Sequence, residues 1–121
     1  MNTKKEVFII AEAGVNHNGS IKRAKKMIEV ASKIGADAIK FQIYKTNKLV
    51  TKSSPKAKYQ LKTSNKNETQ FNMLKRYEFN QSDFIKIYNH CKLNKIEFMA
   101  SAFDLESLNF LLSLKINKIK I

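Results

Sequence analysis

Phe8-Ile-Ile-Ala-Glu-Ala-Gly-Val-Asn-His-Asn-Gly-Ser20 sets the plan of the chain. The four apolar residues Val7 to Ile10 predict a short buried strand, because a continuous hydrophobic run suits a parallel strand covered on both faces. Glu12 then sits at the strand's C-terminal end. Gly14 and Gly19 permit a sharp, close-approaching loop, and Asn16, His17 and Asn18 crowd three hydrogen-bonding side chains into it. Ser20 follows as a good helix N-cap. A buried strand that delivers an acid and a histidine into a glycine-punctuated loop predicts a functional site.

The same layout recurs downstream. Ile21, Ala24, Met27, Ile28, Ala31 and Ile34 fall at helical spacing, with Ser20 to start the helix and Gly35 to end it. Ala36 to Ile43 predicts a second strand. Tyr44 to Lys66 is a polar, lysine-rich stretch with the only proline, Pro55. A loop of that length inside a compact domain is more often a functional cover than a linker. Asn67 is the expected cap of a short helix with Phe71, Met73 and Leu74. Ser82 is the expected cap of the next, with Phe84, Ile87, Tyr88, Cys91 and Leu93 on its apolar side. Ile96 to Ser101 predicts a third strand. Asp104 caps a third full helix whose apolar face is Leu105, Leu108, Leu111 and Leu112. Ile116 to Ile121 starts a fourth strand.

Strands alternating with single helices imply βαβ units and a parallel sheet. No Gly-x-Gly-x-x-Gly follows the first strand and no Walker lysine motif occurs, so neither a dinucleotide nor a nucleoside triphosphate is signalled. The expected architecture is α/β, of the (β/α)8 TIM-barrel type, with the first three and a half units present over residues 1–121. Such barrels carry their sites at the C-terminal strand ends.

Composition narrows the function classes. A hydrophobic content of 43% fits a globular chain. No apolar run approaches a transmembrane length and the start shows no signal-peptide pattern, so no membrane is expected and a cytoplasmic location is. Cys91 is the single cysteine, which excludes an internal disulfide. It reads as a buried core thiol. The net charge of +13 comes from 23 basic residues, only Arg23 and Arg76 being arginine. Nucleic-acid sites favour the planar arginine fork, and these lysines are scattered rather than gathered in a stripe. Solvated faces in a lysine-biased composition are the first reading, attraction for small anions the second. Nucleic acid is not expected as a partner.

The second strand carries the sharper signal. Ile39, Phe41 and Ile43 can pack beneath helices, whereas Ala38, Lys40 and Gln42 point the other way, into the barrel interior. A buried, unpaired amine there would cost several kcal/mol. Lys40 therefore implies an anion, either Glu12 or a bound ligand, and the ligand with Gln42 alongside is the favoured reading. Lys120, between Ile119 and Ile121, repeats the pattern, and two such lysines suit a phosphate or carboxylate. The bland alternative for Lys120 is a solvated chain end. Ser101 suits either the same anion or plain turn chemistry. His17 suits a metal ligand, a substrate donor or a loop-ordering hydrogen bonder, with no second histidine at ligand spacing to favour the metal. His90, among polar neighbours, reads as surface.

These residues resemble the sialic acid synthases (N-acetylneuraminate synthases) and their bacterial nonulosonate relatives. Ile10-Ala-Glu-Ala-Gly-Val-Asn-His-Asn-Gly19 is similar to the family's opening motif, and Gly35-Ala-Asp-Ala-Ile-Lys-Phe-Gln42 to its second-strand signature. Pro55-Lys-Ala-Lys-Tyr-Gln60 with Glu68, Gln70 and Met73 resembles the loop of the bacterial enzymes. Ser101-Ala-Phe-Asp104 and Lys118-Ile-Lys-Ile121 resemble the third strand's end and the fourth strand's start. The resemblance implies condensation of phosphoenolpyruvate with an N-acetylated amino sugar, as its open-chain aldehyde, to give a nonulosonate and phosphate. It implies Lys40 and Lys120 on phosphoenolpyruvate with Gln42 beside them, and Glu12 on the sugar and on a proton. The expected catalytic residues are thus Glu12 and Lys40, and the expected substrate-binding residues Gln42, Lys120, Ser101, His17, Asn16 and Tyr59.

The resemblance also implies a divalent metal, Mn or Mg, held by two histidines outside this chain. A C-terminal antifreeze-like domain and a homodimer are implied for the complete protein. Ala100-Ser-Ala-Phe-Asp104 departs from the family's Ser-Thr-Pro-Phe-Asp, softening the loop beside the site. The expectation is that these residues alone do not catalyse and that their half-barrel presents an unpaired, aggregation-prone edge. A non-catalytic remnant and a lysine-rich polyanion-binding module are the alternatives. N-acetylmannosamine and a 2,4-diacetamido sugar of the legionaminate route both fit as acceptor.

Overall fold

Period-two alternation along the second strand sorts the whole sheet into a core face and a site face. The computed structural model describes residues 7–49 and 68–121. In order these form β1 (Ile10–Gly14), α1 (Ile21–Lys33), β2 (Ala38–Ile43), α2 (Thr46–Leu49), α3 (Gln70–Tyr77), α4 (Gln81–Leu93), β3 (Glu97–Ala102) and α5 (Leu105–Ser113). The three strands make one parallel sheet in the order β1-β2-β3. Ile39, Phe41 and Ile43 of β2 join Phe98 and Ala100 of β3 in a core with Ala24, Ile28 and Ala31 of α1 and Phe84, Ile87 and Cys91 of α4. Lys40 and Gln42, with Met99 and Ser101 beside them in register, take the opposite face. The α/β fold with a parallel sheet is as expected.

Four of the five helices start on a side-chain cap, two of them not the expected ones. Ser20 Oγ accepts from Arg23 N at 3.1 Å, as its position suggests. Thr69, not Asn67, caps α3, and Asn67 lies outside the described residues. Asn80, not Ser82, caps α4, because Asn80 and Asp83 exchange side-chain and backbone hydrogen bonds in a capping box. The stretch from Tyr44 also holds a short helix, α2, where only loop is expected.

Three helices stop alike. Gly35, Lys95 and Lys115 follow the ends of α1, α4 and α5 with φ of +89°, +54° and +55°, the left-handed conformation that releases the last carbonyls for capping. Ala36 N and Ile96 N then return to the carbonyls of Ala31 and Cys91. Asp37 ties all three strands together at this end, its side chain accepting from Ile9 N before β1 at 2.7 Å and its carbonyl from Glu97 N at the start of β3.

Other expectations are corrected. Strand pairing begins at Ile10 opposite Ala38, so Val7 to Ile10 is not a buried strand. Val7, Phe8, Ile9 and Ile10 are 63, 46, 47 and 43% exposed along the open edge of the sheet. Leu93, Leu105 and Leu112 are exposed too, and in α5 Phe110 and Leu111 fill the core instead. The fourth strand is represented by one bridge, Ala100 to Ile119, with Lys120 N donating to Ala100 O. No described helix is long and apolar enough to cross a membrane.

Candidate functional site

Two neighbouring strands bring an amine and a carboxylate together on the site face. Glu12 and Lys40 are partners in the β1–β2 register, and Lys40 Nζ donates to Glu12 Oε2 at 2.7 Å. The lysine side chain is 11% exposed and the glutamate 56%. Glu12 lies in the middle of β1, not at its C-terminal end as expected. The β1–β2 register shifts just after it, between Glu12 and Gly14, as at a β-bulge that re-aims side chains at a rim. Gly14 has φ +53°, and a Cβ there would lie 3.1 Å from Glu12 Oε1 and 3.4 Å from Gln42 Nε2. The missing side chain is what lets those two groups share the space.

The C-terminal end of the sheet opens into a cleft of about 690 Å³. Lys40, Ser101 and Lys120 give it polar walls, and Phe103, Leu108 and Ile119 give it apolar ones. Lys120 is exposed at the rim, its Nζ on the carbonyl of Ile121 at 2.8 Å. Two ammonium groups and a hydroxyl beside hydrophobic walls suit a small anion with an apolar portion. A second groove, between β1 and α1, is lined by Ala11, Met27, Val30 and Ile34 and is almost wholly apolar.

Asp104 steadies the floor of the polar cleft. Its carboxylate caps α5 through Ser107 N at 2.8 Å and accepts from Lys45 N, just after β2, at 2.7 Å. One acid thus ties the β2 and β3 loops together. Thr46 does the same toward α3, its N and Oγ1 both donating to Glu78 Oε1. Tyr44 OH donates to Leu74 O, and burial, then the Glu78 charge, then Tyr77 push its phenol above the usual range. Sequence shows Asp104 only as a helix cap; its second partner is distant in the chain and left no local signal.

The remaining expected residues fall elsewhere. Asn16 is exposed in the loop after β1, and Tyr59 lies outside the described residues. His17 is turned away from solvent altogether, at 0% exposure, its ring stacked on Phe79 with centroids 4.0 Å apart. Nδ1 accepts from Gly19 N at 2.9 Å, which puts the proton of the neutral ring on Nε2. Nε2 is buried with no hydrogen-bond partner among the described residues. Of its three candidate roles, this placement is that of the loop-ordering hydrogen bonder. Cys91 is buried, and burial pushes its thiol up to about 12, so it is no nucleophile. His90 is partly buried and pairs with Glu29 at 2.9 Å across α1 and α4.

Burial lowers the His17 pKa from 6.5 to about 4. A proton then binds the unfolded chain more readily than the folded one, so the neutral ring's contribution is complete above pH 6.5 and is lost as pH falls toward 4. The loss sums to about 3 kcal/mol. Urea midpoints measured between pH 7 and 5 should fall more steeply for the native protein than for His17→Gln. Parallel slopes would refute the assignment.

No three His, Cys, Asp or Glu side chains gather into a metal-binding group among the described residues. With His17 sealed in aromatic packing and His90 on Glu29, these residues do not fit the divalent ion that the resemblance implies.

Known proteins resemble this chain in sequence and in backbone fold. Residues 27–121 match the model of the NeuB family. The N,N'-diacetyllegionaminic acid synthase of Legionella pneumophila is 44% identical over 114 residues, covering 94% of this chain and 32% of that protein. The N-acetylneuraminate-9-phosphate synthase of Drosophila melanogaster is 36% identical, over 95% of this chain and 31% of that one. The crystal structure of the N-acetylneuraminic acid synthetase of Leptospira borgpetersenii, in complex with citrate, superposes with a TM-score of 0.77 at 32% identity, over 97% of this chain and 36% of that one. The chain thus spans about a third of the length of such relatives. With the family match spanning residues 27–121 and a relative 44% identical over 94% of the chain, this chain belongs to the NeuB family.

Proposed function

We propose that this chain forms the phosphoenolpyruvate side of a nonulosonate synthase active site, within the first part of a (β/α)8 barrel. The observation that carries the reading is Lys40, a nearly buried amine whose partner is a half-exposed carboxylate, in one cleft with Ser101 and Lys120. Lys40 and Lys120 hold the phosphate and carboxylate of phosphoenolpyruvate, Ser101 and Gln42 add hydrogen bonds, and the apolar wall takes the methylene. C3 of phosphoenolpyruvate attacks the aldehyde carbon of an N-acetylated amino sugar. Water adds at C2, and phosphate leaves with its C–O bond broken. Glu12 holds the sugar and takes part in proton transfer at its oxygen. Two nearby ammonium groups stabilise charge as phosphate departs. Asn16 and Tyr59 complete the substrate contacts, and His17 serves them by fixing the loop.

The second half of the barrel, the metal it holds and a homodimeric assembly belong to the complete protein in this reading. The test is phosphate release by the protein as its source cell makes it, with phosphoenolpyruvate plus N-acetylmannosamine or a 2,4-diacetamido sugar. Sugar-dependent release is expected with one of them. No release with either, and no phosphoenolpyruvate binding, would overturn the reading.

A further inference from the structure

Lys40 and Glu12 form an unequal pair. Lys40 rises from the middle of the central described strand, and among the described residues its ammonium, which has three hydrogens to donate, has one acceptor, Glu12 Oε2. Glu12 is 56% exposed and stands at the register shift before Gly14. The space beside its carboxylate is kept open by the absent Gly14 side chain. A carboxylate built to neutralise a buried lysine permanently would itself be buried and held by further donors. This one is free to swing.

An anion that enters the cleft and binds Lys40 shares that ammonium with the Glu12 carboxylate. Two negative groups on one ammonium repel each other, and a nearby like charge disfavours each. We propose that Glu12 is a displaceable counter-ion: it pairs with Lys40 until an incoming phosphate or carboxylate takes the lysine from it. This rests on the phosphoenolpyruvate reading of the cleft and adds that anion affinity is set by an exchange. Lys40 is never left as an uncompensated charge, and Glu12 is released to solvent as the anion arrives.

The test is equilibrium titration of the complete protein with phosphoenolpyruvate and, separately, inorganic phosphate. With the competitor removed, Glu12→Gln should bind both about tenfold more tightly, the size of a partly exposed ion pair. Glu12→Asp, one methylene too short to reach as well, should fall between that variant and the native protein. It also reports if the glutamine variant fails to fold. Unchanged or weaker binding by both variants, with Lys40→Ala still abolishing binding, overturns the exchange and leaves the cleft assignment standing. Native-like binding by Lys40→Ala overturns both.

Discussion

Replacing Lys40 by alanine in the complete protein should weaken phosphoenolpyruvate binding at least about 100-fold, the scale expected when one member of a desolvated charge pair is removed. The side chain is 11% exposed, so water cannot replace it. The variant also strands no buried charge, because Glu12 is half-exposed and can turn to solvent. Folding should therefore survive, and calorimetric titration can read binding alone. Lys22→Ala, on the exposed face of α1, is the control and should change affinity less than about twofold. A polyanion-binding module would behave in reverse, with steep salt dependence shared among the surface lysines. Equal effects of the two substitutions would therefore refute the site and favour the module.

Gly19→Ala should cost about 3 kcal/mol or more of stability, from left-handed strain and overpacking together. Gly19 has φ +79°, and a Cβ there would lie 2.3 Å from the carbonyl oxygen of Arg76. That oxygen is backbone, at the end of α3, and cannot rotate aside. Gly35→Ala is the matched comparison: φ is +89° with nothing within 4 Å of its Cβ. Only the strain applies there, about 1 kcal/mol. Denaturation midpoints of the two variants separate the terms. Equal losses would mean that the loop after β1 is not packed against α3 as the structure has it.

The site face of β2 was legible because a strand has a period of two, and a lysine at an inward position is an anomaly that needs no tertiary information. The partnership with Glu12 was legible as one of two alternatives. The limits of β1 were not, because Val7 to Ala11 is an unbroken apolar run and only pairing with Ala38 marks where the strand begins. Asn80 and Ser82 are both good caps two residues apart; the reciprocal bond with Asp83 decides between them. His17 could not be placed because its stacking partner, Phe79, is remote in sequence. The double use of Asp104 was hidden for the same reason, since an acceptor's second donor leaves no trace in its neighbours.

Gly35, Lys95 and Lys115 stand at equivalent joints with nearly the same backbone, yet only the first is glycine. Lysine in that conformation costs on the order of 1 kcal/mol, and at an exposed helix end nothing else is disturbed. Gly19 occupies a similar region of conformational space but faces a carbonyl, and no side chain fits. A drift of composition toward lysine could therefore rewrite the helix stops of this chain, whereas Gly19, pressed against the end of α3, admits no such change.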